Sequence, residues 1–500
     1  MLSHSSSDLQ TIQKPKSFNF LTSFHSQISA NPRFWLFSTF LFVQVIVVFF
    51  SRNSPLSLTC HPHAQPHFPT EAVSIPTVAH GGDAVSQPPE GEDCEYGRVY
   101  VYDLPPMFNK DLILKNCTDL DPWNWQCGLN INAGYGKRTR DLARILPMNV
   151  ATAWYQTNQF SSEVIYHHRL LNYRCRTMEP ESATSFYIPF YAGLAVGKYL
   201  WIDDTEKRDW HCNMMLKWVQ NQTYWQKSKG SDHFLTIGRI TWDFRRLADA
   251  GKKWGSALLN LPEMENVTRF TIEKAPWDIY DVGVPYPTGF HPSTDSQLRL
   301  WQQYILSRNR TSMFSFVGAT RAEVKEDFRN LLIHYCRNES DVTRVVDCSV
   351  TQCSVNPSII QDAFLSSDFC LQPAGDSKTR RSVFDCMIAG SVPVFFWQET
   401  AYEQYQWFLP EDPESYSVFI DRNGVKNGTV SIRGILEKYS KEKIRKMREK
   451  VVETMPKLIY ARPKTGLKHV KDAFDVAVEG VMKKIKEDKE WNEFVDEIET

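Results

Sequence analysis

The residues best suited to chemistry in this 500-residue chain lie between Asp368 and Phe396, DFCLQPAGDSKTRRSVFDCMIAGSVPVFF. Arg380, Arg381 and Ser382 stand together after a loop, Ala374–Thr379, that has a glycine and no large apolar side chain. Asp385 follows one turn later. Guanidinium groups donate paired hydrogen bonds to phosphate oxygens. A helix opening at Arg380 to Ser382 would add free N–H groups and a positive dipole end. A carboxylate at Asp385 would accept from ribose hydroxyls. This set suits a sugar nucleotide, with Arg380, Arg381 and Ser382 on the diphosphate and Asp385 on the ribose. The same pattern also fits an ordinary βαβ unit with a solvated basic loop, because no Gly-rich fingerprint of the usual form is present. Lys378, on the loop, reads as a solvated lysine.

The elements around these residues follow from periodicity. Phe369–Leu371 is a short apolar run that reads as a strand. Val383, Phe384, Met387 and Ile388 fall at helical spacing, Gly390 stops that helix, and Val392–Phe396 reads as a second buried strand. Upstream, Arg98–Leu104, Ser185–Tyr191 and Asp232–Gly238 read as strands, with helical patterns at Glu163–Tyr173 and Asp209–Val219. Phe314–Val317 starts a second series, followed by a helix over Ala322–Cys336. Strands alternating with helices predict parallel α/β sheets. Two such halves, 94–310 and 311–500, are expected to face each other across a cleft. The C-terminal stretch from about Ser431 is highly charged and helical in pattern.

Residues 34–50, FWLFSTFLFVQVIVVFF, form the one long apolar run. Their 17 residues carry no charge and make roughly 25 Å of helix, at the short end for a membrane span. Lys14, Lys16 and Arg33 precede the run against Asp8 alone, which puts the N-terminus in the cytosol. We therefore expect a cytosolic tail (1–33), a signal anchor (34–51) and a flexible stem (52–93) rich in Pro, His, Gly and Ser. A cleaved signal peptide fits less well, since the lead is long and no small-residue cleavage site follows Phe50. Six N-x-[ST] sequons, at Asn116, Asn221, Asn266, Asn309, Asn338 and Asn427, and all eleven cysteines fall after the run. Both suit an oxidising lumen, and an odd cysteine count leaves at least one unpaired within the chain. A zinc site is a poor fit: no C-x2-C pair exists, and His61, His63 and His67 sit in a Pro-rich stretch without carboxylates. A net charge of −1 implies no basic face, so nucleic acid is not expected as a partner. Fifteen tryptophans suit a carbohydrate-handling cleft, although most such rings belong to cores.

Several stretches resemble a known family. They are VYVYDLPPMFN (99–109), EVIYHHRLLNYRCRT (163–177), SFYIPFYAGL (185–194), GSDHFLTIGRITWDFRR (230–246), FSFVGATR (314–321), LQPAGDSKTRRSVFDCMIAGSVPVFF (371–396) and QYQWFLPEDPESYSVFI (404–420). Together they resemble the exostosin-type glycosyltransferases, and more narrowly their plant xyloglucan galactosyltransferase branch. The resemblance implies a GT-B fold, a Golgi membrane enzyme of type II, an inverting mechanism and a UDP-sugar donor. It implies transfer of galactose to xylosyl side chains of xyloglucan. A sister specificity, for UDP-galacturonic acid on the same acceptor, stays open. So does a non-catalytic Golgi scaffold that assembles with other transferases. By resemblance Asp385 takes the place of the family's ribose-binding acid, where many members have Glu.

Inversion by a single displacement needs a base for the acceptor hydroxyl, cations for the departing UDP, and in-line positioning. Three residues of the first half are base candidates. Asp243 follows a strand, where its carboxyl would face the crevice. Glu163 opens a helix beside His167 and His168. His233 ranks below them, because a lone histidine at a strand start is more often core. Arg239 and Arg245 would assist the diphosphate or bind the acceptor, or form structural ion pairs. A metal-dependent enzyme would carry Asp-x-Asp after a strand. The one such pattern, Asp119-Leu120-Asp121, reads as a loop, so no catalytic metal is expected.

Overall fold

Short runs of β-branched and aromatic residues build two parallel sheets. The first contains β1 (Val99–Val101), β2 (Arg176–Thr177), β3 (Ser185–Ile188), β4 (His233–Ile240), β5 (Thr268–Glu273) and β6 (Asp281–Gly283), in the order β2-β1-β3-β4-β5-β6. The second contains β7 (Ser312–Gly318), β8 (Thr343–Asp347), β9 (Ser367–Gln372), β10 (Val392–Phe395) and β11 (Val418–Phe419), in the order β11-β10-β9-β7-β8. Every pairing is parallel. All four residues of β3 and of β10 are buried, as expected of strands covered on both faces. Each sheet reverses its winding once, between β1 and β3 and between β7 and β9.

These sheets belong to a computed structural model that describes residues 94–114, 120, 128–247, 254–321, 324–325, 327–353 and 356–499. The expected tail, anchor and stem lie outside the described residues, as do Asn116, Cys60, Cys117, Cys127, Asp119 and Asp121. Among the described residues, no helix is long and apolar enough to cross a membrane.

The main helices are α1 (Ser162–Leu170), α2 (Ala192–Gly197), α3 (Thr205–Gln220), α4 (Asp295–Ser307), α5 (Phe328–Asn338), α6 (Pro357–Leu365), α7 (Ser382–Ile388), α8 (Lys441–Thr454) and α9 (Ala473–Glu499). Helix α5 begins at Phe328, later than the apolar pattern suggests. Asp327 is the reason: its carboxylate takes the N–H groups of Arg321 and Arg329, which turns the chain and caps the helix there.

Two helices pack away from the sheet whose strands precede them in sequence. Helix α4 packs on the second lobe, where Leu298, Trp301 and Ile305 share a core with Ile388 and Ala389, and Trp301 Nε1 donates to Ile388 O at 2.9 Å. Helix α9 returns to the first lobe, where Phe474, Val478 and Val481 share a core with Val99, Tyr166 and Phe270. Among the described residues, disulfides join Cys94 to Cys175, Cys348 to Cys353, and Cys370 in β9 to Cys386 in α7. Cys212 and Cys336 are free and buried. Of the sequon asparagines, Asn221, Asn309, Asn338 and Asn427 are exposed and Asn266 is half-buried.

The return of α9 is held by a buried charge cluster. Arg169 on α1 donates to Asp472 at 2.6 and 3.3 Å and to Asp475 at 3.1 Å. Its guanidinium also lies over Phe474 at 4.3 Å. Burial, with Asp472 alongside, raises the pKa of Asp475. Replacing Arg169 by Met would leave two carboxylates without their buried cation. The expected cost is about 3–5 kcal/mol of folding stability, read as a lower midpoint in urea unfolding.

Candidate active site

The loop after β9 leaves the carboxyl end of its strand beside β7, where the second sheet reverses. Open α/β sheets bind ligands at such points. Ser382 Oγ donates to Gln372 Oε1 at 2.7 Å, which ties the start of α7 to the end of β9. Arg380 Nη2 donates to Val317 O at 2.7 Å, near the end of β7, and the guanidinium lies 5.7 Å from the centre of the Phe316 ring. Burial, with Arg329 nearby, pulls Arg380 down to about 9, so it stays cationic at neutral pH. Helix α7 has only seven residues, so the attraction for an anion rests on the guanidinium groups rather than on a dipole.

Arg381 points into a cavity of about 660 Å³ between the lobes. Its Nη1 donates to Thr157 O at 2.6 Å, and its Nε pairs with Asp385 Oδ2 at 3.2 Å. Asp385 lines the same cavity. Burial raises its pKa against the pull of Arg381. Arg381 and Asp385 therefore meet in one cavity, while Arg380 and Ser382 brace its wall.

The facing wall comes from residues that the sequence reading did not single out, among them Lys137, Thr157, Asn158 and Gln159. They sit on loops without periodicity. Their one trace in sequence is the glycine-rich run Gly128–Gly136. Gly136 has φ +80° and a Cβ there would lie 2.2 Å from Gln156 O, so only glycine fits.

At the carboxyl end of β4, Arg239 Nε donates to Asp243 Oδ2 at 2.8 Å. Trp254 Nε1 donates to Asp243 Oδ1 at 2.9 Å, so both oxygens of Asp243 are engaged. The Arg239 guanidinium lies 4.8 Å from the ring centre of Phe160, which lines the cavity. Glu163 is one turn beyond Phe160 and fully buried. Its Oε1 accepts from Gly193 N at 2.6 Å and Gly238 N at 2.9 Å, and its Oε2 has no partner. Burial pushes its carboxyl up to about 7, against the backbone N–H groups that favour the anion. Arg245 bonds Asp278 and Asp281, each at 2.7 Å, as a structural ion pair.

Two expectations need correction. His233 does not join this group. It starts β4, while Glu163, Arg239 and Asp243 gather at the strand's far end, roughly 23 Å along it. Tyr102 Oη lies 2.9 Å from its Nε2, Asp232 Oδ1 lies 2.6 Å from its Nδ1, and Phe186 stacks on it. Parallel strands present their carboxyl ends to the crevice, so a residue at the amino end is core. Lys378 is not simply solvated: it pairs with Glu399 and sits 5.9 Å from the ring centre of Trp277.

Glu273 was also missed. It ends β5, a position that the strand-end argument used for Asp243 would have selected. Its buried carboxylate accepts from Ser377 Oγ, from Thr379 N at 2.8 Å and from Thr379 Oγ1 at 2.8 Å. One side chain of the first lobe thus fixes the loop of the second lobe that carries Arg380 and Arg381.

Residues 93–436 match the exostosin GT47 domain. A xyloglucan galactosyltransferase of Arabidopsis thaliana, XLT2, is 48% identical over 96% of this chain and 95% of its own length. The chain belongs to the exostosin GT47 family. It is a glycosyltransferase by that membership. Another relative in the family, the xyloglucan-specific galacturonosyltransferase 1 of Arabidopsis thaliana, is 38% identical over 78% of this chain and 58% of its own length. Among solved structures, an alpha-glucosyltransferase in complex with UDP aligns with 55% of this chain and 77% of its own, at 10% identity and a TM-score of 0.27.

Changing Glu273 to Gln removes the charge that three donors share. Hydrogen bonds to a charged group contribute about 1.5–3 kcal/mol. Donor KM is expected to rise about ten-fold or more, with acceptor KM little changed, as read from separate titrations of the two substrates.

Proposed function

We propose that this chain transfers galactose from UDP-galactose to xylosyl side chains of xyloglucan, with inversion and without a catalytic metal. The observation that carries the reading is near-full-length similarity to a xyloglucan galactosyltransferase. The two parallel lobes with a cavity between them support a GT-B arrangement. Arg381 is assigned to the diphosphate and Asp385 to the ribose, since both line that cavity. Arg380 and Ser382 are assigned to holding the loop, and Arg239 to the acceptor side. Of the base candidates, Glu163 is favoured over Asp243, because one of its oxygens is unpartnered and its carboxyl titrates near neutrality. The apolar run at 34–50, the sequons beyond it and three disulfides support a type II Golgi protein with its folded part in the lumen.

The test is mass-spectrometric. The detergent-solubilised full chain is incubated with xylosylated glucan oligosaccharide and, separately, UDP-galactose, UDP-galacturonic acid, UDP-glucose and UDP-xylose, with and without EDTA. A gain of one hexose from UDP-galactose alone, unchanged by EDTA, is expected. The relative named as a galacturonosyltransferase makes one other outcome specific: gain only from UDP-galacturonic acid would move the donor assignment. No product from any donor, with UDP still bound, would leave the scaffold reading. Changing Arg381 to Ala is expected to raise KM for the nucleotide sugar.

A base with a pKa near 7 also sets a pH profile. The kcat is expected to rise with pH through about 7, and Glu163→Gln to remove that limb with a loss of about a hundred-fold or more. The same shift fixes the sign of a stability effect. From about pH 4.5 to 7 the native state keeps a proton that the unfolded chain has released, so stability falls as pH rises across that window. Thermal melts of the Gln variant should lack that slope.

A further inference from the structure

Tryptophan is the largest side chain and is normally mostly buried. Three tryptophans of the first lobe are not: Trp201, Trp242 and Trp277 are 58%, 63% and 71% exposed. The segments that carry them are tied to charged and aromatic partners. Trp201 meets Trp254 edge-on at 4.6 Å, and Trp254 Nε1 bonds Asp243. Trp242 adjoins Asp243 in the turn that follows β4, and Asp243 is clamped by Arg239. Trp277 adjoins Asp278, which takes Nη2 of Arg245 from the segment that carries Trp242. Lys378 sits over the Trp277 ring, and the next residue, Thr379, is the one Glu273 grips. The segments that carry these rings are thus linked from the end of β4 to the loop that carries Arg381.

A pyranose with equatorial hydroxyls is amphipathic in the same sense as this surface. Its C–H faces are apolar, while its rim is polar. Separate indoles set among ion pairs match a chain of such rings, whereas a protein partner would call for a contiguous apolar patch. A depression of about 490 Å³ beside Trp277, lined by Asn260 and Glu265, offers further groups for sugar hydroxyls.

We propose that Trp201, Trp242 and Trp277 form a stacking platform for the β-linked glucan main chain of the acceptor, outside the cavity that takes the nucleotide sugar. The inference rests on the reading of the acceptor as xyloglucan. It divides the work of binding: the main chain lies on the indoles, and a side-chain sugar reaches inward to the transferred galactose.

The test compares the full-length chain with a Trp242→Ala, Trp277→Ala double variant and with Trp491→Ala, an exposed tryptophan on α9. The probe is galactose-free xyloglucan oligosaccharide without donor, followed by calorimetry and by tryptophan fluorescence. Loss of a stacked tryptophan at a binding surface commonly weakens affinity by about ten-fold or more. That loss is expected in the double variant, together with loss of the fluorescence change on binding. UDP affinity should be unchanged, and so should binding by the Trp491 variant. Trp242→Phe, Trp277→Phe should restore most of the affinity, which separates stacking from misfolding. Unchanged oligosaccharide affinity in the Ala variant would overturn the platform and leave the proposed activity standing. A wild-type chain that neither binds nor galactosylates the oligosaccharide would overturn both.

Discussion

The crevice depends on the chain returning from its second lobe to its first. After α8 the backbone crosses back, and α9 lays Phe474, Val478 and Val481 against the first sheet. Arg169 pins that return through Asp472 and Asp475. A buried cation with two carboxylates is a demanding arrangement, because each charge is costly to bury without the others. It specifies one docking position for the segment. Tyr135 Oη adds a bond to Ala461 O at 2.6 Å, and Tyr460 Oη one to Pro285 O at 2.7 Å.

With the lobes joined in this way, single side chains can bridge them. Arg381 reaches Thr157 O, and Glu273 reaches Thr379. Tyr405 Oη donates to Ile272 O at 2.8 Å, next to Glu273. The loop after β9 is consequently held from three directions: by the Cys370–Cys386 disulfide, by Gln372 on Ser382, and by Glu273 on Thr379. These bonds fix the guanidinium of Arg381 in one position, which is what the role proposed for it on a leaving diphosphate requires.

The strand–loop–helix–strand unit of the second lobe was legible because its signals are local. Short apolar runs and a 3.6-residue repeat are properties of neighbours in sequence. Arg381 and Asp385 could be picked out for the same reason, since they lie one helical turn apart. Thr157 carries no local signal and Glu273 only its place at a strand end, and their importance comes from partners more than a hundred residues away in the case of Glu273 and more than two hundred for Thr157. His233 illustrates the converse. Its residue type suggested chemistry, but its register at the amino end of β4 put it in an aromatic core.

By itself, the sequence determined that this chain would form parallel α/β layers, that arginines and an acid would cluster at the start of one short helix, and that its motifs belong to one family. These follow from periodicity and from residue type, which neighbouring residues express without help. Only the tertiary structure decided which arginine faces the cavity and which braces its wall. It also decided that α4 and α9 change lobes, and that Asp243 is saturated while one oxygen of Glu163 is not. Those outcomes depend on burial and on hydrogen bonds between distant segments, and neither exists until the two sheets are brought face to face.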